Sequence, residues 1–174
     1  MTKEELQNKL EGITELAISN FQKDGALTNV FLIEYFNEEN IRQTMPFPIV
    51  NGGMHELRYE VLKKIGSFFK TLRENRKIQR VEAIISVNEC WFVQKTKEEA
   101  EHEDLTKVIP SQSPNKKEGI VVAGMSEYDS LIIAYEIIRK PDVAPILEII
   151  SKDTQQVENM LLRTFWENFL LKFY

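Results

Sequence analysis

Val81-Glu82-Ala83-Ile84-Ile85-Ser86-Val87-Asn88-Glu89-Cys90-Trp91-Phe92-Val93 is the stretch whose reading decides the fold. It is rich in branched and aromatic residues, free of Gly and Pro, and therefore reads as a long strand. Side chains of a strand alternate between its two faces. One alternate set is Val81, Ala83, Ile85, Val87, Glu89, Trp91 and Val93; the other is Glu82, Ile84, Ser86, Asn88, Cys90 and Phe92. Glu89 is a single carboxylate inside an otherwise apolar set. A buried charge without a partner is costly. Glu89 is thus expected either to pair with a cation, Lys117, Arg139 or another near the sheet's edge, or to belong to a site. Pairing is the favoured alternative.

Further strands follow from the apolar runs Gly119 to Ala123 and Leu131 to Ile138, which read as covered on both faces. Val143 to Ile150 is a further strand after Pro141-Asp142. No helical pattern separates these later strands, so antiparallel neighbours are expected. Upstream, Val30 to Phe36, the polar turn Asn37-Glu38-Glu39-Asn40 and a second extended segment resemble a hairpin. Pro46 and Pro48 place that second strand at an edge or end it.

Three helices complete the pattern. Thr2 and Glu5 have capping-box spacing ahead of Leu6, Leu10, Ile13, Leu16, Ala17 and Phe21, and the helix is expected to end near Asp24-Gly25. Met54, Leu57, Val61, Ile65, Phe68 and Leu72 form a stripe on what reads as the longest helix, entered through Asn51-Gly52-Gly53. Leu62 and Phe69 widen it, and Glu60, Lys63, Lys64, Lys70 and Arg73 take the solvated side. A last helix, from about Thr154 with Asp153 as its cap, carries Met160, Leu161, Leu162, Phe165, Trp166, Phe169, Leu170, Leu171 and Phe173. That much apolar surface calls for broad burial, in the same subunit or in a homodimer built on this helix.

The expectation is a single α+β domain over residues 1–174. It has a mainly antiparallel sheet of about 4–6 strands, packed with one long central helix and N- and C-terminal helices. The polar stretch from about Thr96 to Lys117, with Glu98-Glu99-Ala100-Glu101-His102-Glu103-Asp104, is expected to be a mobile loop.

Composition narrows the function classes. A hydrophobic content of 43% beside 28% charged residues is that of a globular chain. A net charge of −5 offers no general attraction to nucleic acid or anionic lipid, so both are disfavoured as partners. No apolar run approaches bilayer-spanning length and no secretory leader is visible, and the one cysteine, Cys90, cannot form an intramolecular disulfide. A cytoplasmic protein is expected.

The chemistry-bearing motifs are few. Gly52-Gly53 lacks the further glycines and the Lys-Ser/Thr ending of a phosphate-cradling loop, so no cofactor is expected. His55 and His102 are the only histidines, too few for a multi-histidine zinc centre. Cys90 would be a nucleophile only with a base such as His55 within reach; packing is the commoner use of a strand cysteine. Glu89 and Glu118 lie on adjacent expected strands, and two converging carboxylates can hold a hard divalent cation or share a proton. Lys117 and His55 would assist such a centre. Glu136 and Glu148 also interrupt apolar strands and are expected to face solvent. Trp91 and Trp166 are read as core aromatics or pocket walls.

Ser86-Val87-Asn88-Glu89-Cys90-Trp91, followed by Lys116-Lys117-Glu118-Gly119-Ile120-Val121-Val122, resembles a hairpin of small uncharacterised bacterial and phage-associated proteins. In those, a Glu-x-Trp strand precedes an Arg/Lys-Glu-Ala/Gly-aliphatic strand. The resemblance implies an α+β fold and mobile-element ancestry, with Glu89, Trp91, Lys117 and Glu118 as the matching positions, and it implies no activity. The expected function is that of a non-enzymatic interaction or accessory protein acting as a homo-oligomer. The alternative is a carboxylate-dependent enzyme or metal-binding protein centred on Glu89 and Glu118.

Overall fold

Thr2 starts the first helix as expected. Its hydroxyl accepts from the Glu5 amide while the Glu5 carboxylate accepts from the Thr2 amide at 2.7 Å, a reciprocal cap. Gly25 closes the helix with φ 76°, a left-handed conformation that glycine adopts without steric cost. The computed structural model describes residues 1–49, 55–93, 112–153 and 160–170. Its helices are α1 (Lys3–Asp24), α2 (His55–Glu74) and α3 (Met160–Leu170). Its strands are β1 (Val30–Asn37), β2 (Arg42–Pro48), β3 (Ile78–Phe92), β4 (Lys117–Met125), β5 (Ser130–Ile138) and β6 (Ile146–Asp153).

The six strands form one antiparallel sheet in the order β2-β1-β3-β4-β5-β6, so the fold is α+β. β2 and β3 both run antiparallel to β1, on its two sides, and α2 joins them across one face. β2, with Pro46 and Pro48, is an edge strand, where a missing amide does least harm.

Helices cover both faces. On one, Leu6, Leu10, Ala17 and Phe21 of α1 pack on Ala83, Ile85, Val87, Ile120, Val122, Leu131, Ile133 and Ile137. On the other, Leu62, Ile65 and Phe69 of α2 and Leu162, Phe165, Trp166 and Phe169 of α3 pack on Phe31, Ile33, Val81, Ile84 and Ala123. Gly66 lets these two helices approach closely, since a Cβ there would stand 2.6 Å from the Phe165 carbonyl oxygen. The aromatic residues of α3 are therefore buried within the same chain, and the indole of Trp166 donates to the Met125 carbonyl at 3.2 Å. Composition of this helix alone no longer requires a second copy to cover it.

Three expectations are corrected. Val81 does not share a face with Ala83. Glu34 pairs with Ala83 but Tyr35 with Val81, so Glu82 is an extra residue on β3, a bulge that flips the alternation below it. The buried stripe of α2 is centred on Leu62, Ile65 and Phe69, while Phe68 is 45% exposed and Lys70 is buried. The neighbouring α3 shifts the covered stripe from the one that periodicity alone selects. Nor is α2 the longest helix in the described chain, since α1 has 22 residues and α2 has 20. Asp153 is the last residue of β6, and the helix start at about Thr154 that it was expected to cap lies outside the described residues. The Asn51-Gly52-Gly53 turn, Met54, most of the acidic loop with His102, Thr154, Gln156, Leu171 and Phe173 lie outside the described residues.

Candidate functional site beside Glu89

β1 begins opposite Val87, so the β1 side of β3 has no strand partner from Asn88 onward. The loop that follows α1 takes the vacated place. Asn29 accepts the Glu89 amide on its Oδ1 at 2.7 Å, and Glu89 Oε2 accepts the Leu27 amide at 2.7 Å. Glu89 therefore stitches the α1–β1 connection to the strand, and its own backbone amide is satisfied in return.

The register places Glu89 opposite Ile120 and Trp91 opposite Glu118, so Glu89, Trp91 and Glu118 share the α1 face. Arg139, one residue past β5, completes the cluster. It donates Nε and Nη2 to the two oxygens of Glu118, both at 2.8 Å, and Nη2 reaches Glu89 Oε1 at 3.4 Å. The guanidinium also lies over the Phe21 ring, 5.5 Å from its centroid. Arg139 holds the Glu118 carboxyl below its usual range, against the opposing effect of burial.

Lys117, expected from the sequence to pair with or assist Glu89, does not join this cluster. The structure puts it on the other face, because it pairs with Phe92 in register, and its ammonium binds Glu136 at 2.7 Å. Glu136 is consequently part of an ion pair, and Glu148, opposite it on β6, is exposed. Cys90 faces away from Glu89, and burial pushes its thiol above the ordinary value, opposed by the Arg58 guanidinium. A thiol shifted in that direction is a poorer source of thiolate. His55 stands at the N-terminal end of α2 as described.

Two further buried carboxylates escaped the sequence reading. Glu34 is only 1% exposed; Oε1 accepts from Thr44 at 2.6 Å and lies 3.1 Å from the Lys9 ammonium, while Oε2 has no hydrogen-bond partner. Glu82, at the bulge, binds Arg80 at 2.7 Å, Arg42 at 3.1 Å and the Met1 amino group at 3.3 Å. Burial alone would raise the Glu82 carboxyl; Arg80 and the amino group outweigh it and hold the group low. The signal for Glu34 was the same as for Glu89, a carboxylate in the alternate set Val30, Leu32, Glu34 and Phe36. Glu34 ties α1, and Glu82 ties Met1 just ahead of it, to the β1–β2–β3 side of the sheet.

A depression of about 320 Å³ opens beside Glu89, lined by Leu27, Asn29, Glu89, Cys90, Trp91 and Glu118. Trp91 is 45% exposed at its wall, with the Lys116 ammonium 4.9 Å from the ring centroid. Among the described residues, no group of three or more His, Cys, Asp or Glu side chains is placed to hold a metal ion. No described helix is long and apolar enough to cross a membrane. Comparisons with protein-family models, with curated proteins and with solved structures give no match to this chain.

Proposed function

We propose that this protein is a non-enzymatic interaction or accessory protein of the cytoplasm, acting through binding surfaces rather than bond-making chemistry. The observation that supports this reading is the state of Glu89 and Glu118. The two carboxylates best placed for chemistry direct their oxygens to Arg139 and to the Leu27 amide. The Arg139 guanidinium already stands at the centre, and its charge disfavours a second cation carrying two charges there, while Glu89 is committed to the α1–β1 loop through the Leu27 amide. The competing reading, a carboxylate-dependent enzyme or metal-binding protein, draws on the same two residues. Titration with Mg²⁺ and Mn²⁺ read by thermal melting separates them. The expected result is no specific rise in melting temperature; a saturable rise that Glu89→Gln abolishes would establish the competing reading.

Self-association is the second element of the proposal. Phe68 of α2 and Leu170 of α3 are large apolar side chains left about half exposed on the two helices that cover one face. Sedimentation velocity tests it, and a monomer at high protein concentration removes it.

A further inference from the structure

We propose that the depression beside Glu89 is a recognition site for an organic cation, an ammonium or guanidinium group seated against Trp91 between Glu89 and Glu118. This rests on the reading that the protein acts by binding, and it names the chemistry that the site selects. Among the described residues, the lining includes two carboxylates, an indole and an amide but no basic side chain. Among the described residues, the cation bonded to those carboxylates is Arg139, which carries one positive charge against their two negative ones. An ionised carboxylate offers roughly four acceptor positions. Glu89 uses one on each oxygen, for Leu27 and Arg139, and Glu118 uses one on each, both for Arg139, so acceptor capacity remains on both groups.

Trp91 supplies the second, independent element. A half-exposed indole is the strongest aromatic partner for a cation, and it already attracts one: the Lys116 ammonium lies 4.9 Å from its ring centroid. Lys116, on the described segment just before β4, is therefore an internal competitor for the surface that a ligand cation would use. An indole beside carboxylates favours a large, weakly hydrated organic cation. A small divalent ion, which keeps its oxygen shell, gains little from an indole.

The test uses the full chain and two probes, arginine methyl ester and a short uncharged-background peptide with one arginine, with citrulline as the neutral control. Binding is read from Trp91 fluorescence and, for variants lacking that indole, from the amide resonances of Leu27 and Glu89. Saturable binding of the arginine probes is expected with a dissociation constant on the order of 1 mM at low salt, weakening as salt screens the carboxylates. Lys116→Ala should tighten it, while Trp91→Ala and Glu118→Gln should each weaken it by roughly threefold or more. Tighter binding of the peptide identifies a polypeptide source for the cation; equal binding identifies a small molecule. Absence of a saturable response to either arginine probe, an equal response to citrulline, or binding unchanged in all three variants overturns the site. A Mn²⁺ melting response lost in Glu89→Gln overturns the preceding reading instead, whatever the arginine probes do.

Discussion

Arg139 grips Glu118 with two parallel hydrogen bonds of 2.8 Å while extending the same Nη2 toward Glu89 at 3.4 Å. One guanidinium thus makes two neighbouring carboxylates compatible. Fork-to-fork geometry is the stronger class of ion pair, but Arg139 is 46% exposed, so screening limits its worth. Arg139→Gln is expected to cost roughly 1 kcal/mol at neutral pH in urea unfolding.

The pH dependence of that cost has a definite sign. The folded-state pKa of Glu118 is lowered, chiefly by Arg139. Its stabilisation is therefore fully present above the unfolded value, near 4.3, and is lost as pH falls through the lower folded value. The stability gap between wild type and Arg139→Gln should be widest at neutral pH and should close on acidification below that unfolded value. Parallel unfolding curves with a constant gap across the acid range would show that Arg139 acts through packing on Phe21 instead.

Glu89 was legible because its neighbours were regular. An acid amid Ala83, Ile85, Val87 and Trp91 stands out in any strand reading, and Arg139 was already one of its candidate partners. Two things were not legible. A bulge at Glu82 depends on how β1 pairs with β3, a long-range choice that no local pattern in β3 reports. Lys117 followed the same logic as Arg139 in sequence, yet one position of register sends it to the opposite face, since neighbours on a strand alternate. The pairing of Glu34 with Lys9 was hidden by distance along the chain, although the carboxylate itself carried the signal used for Glu89.

For Glu89, the bond to the Leu27 amide separates charge from shape. Glu89→Gln retains an oxygen that can accept this amide, so its cost should stay below about 1 kcal/mol. Glu89→Leu leaves the Leu27 amide without its acceptor and should cost about 1–3 kcal/mol. Hydrogen exchange at Leu27 provides the local readout: acceleration in the Leu variant well beyond the Gln variant is expected. Equal exchange in the two would show that the carboxylate does not hold the α1–β1 loop.

Lys9 and Glu34 form a pair of unequal exposure, with Glu34 almost wholly enclosed and Lys9 39% exposed. Lys9→Met removes the ammonium and leaves a buried carboxylate with only the Thr44 hydroxyl, at an expected cost of about 3 kcal/mol. Adding Glu34→Leu should restore most of that loss, because an apolar replacement of a buried pair is often neutral. Chemical denaturation of the two single variants and the double variant measures the coupling. Additive losses would mean that the two side chains do not act as a pair.

Two glycines give opposite expectations for the same added methyl. A Cβ at Gly119 would run into the Tyr135 carbonyl oxygen and stand 2.5 Å from Phe92 Cε1, so both backbone and a ring must yield. Gly119→Ala is expected to cost about 1–3 kcal/mol or more by overpacking, and the shift should reach β5 because the obstructing oxygen belongs to that strand. At Gly12, inside α1, a Cβ meets nothing within 4 Å. Gly12→Ala should instead stabilise by up to about 1 kcal/mol, since alanine removes backbone freedom from the unfolded chain at a helical position. Thermal melting of the two variants checks both signs together. A stabilised Gly119→Ala would show that the Tyr135 carbonyl and the Phe92 ring do not crowd this position.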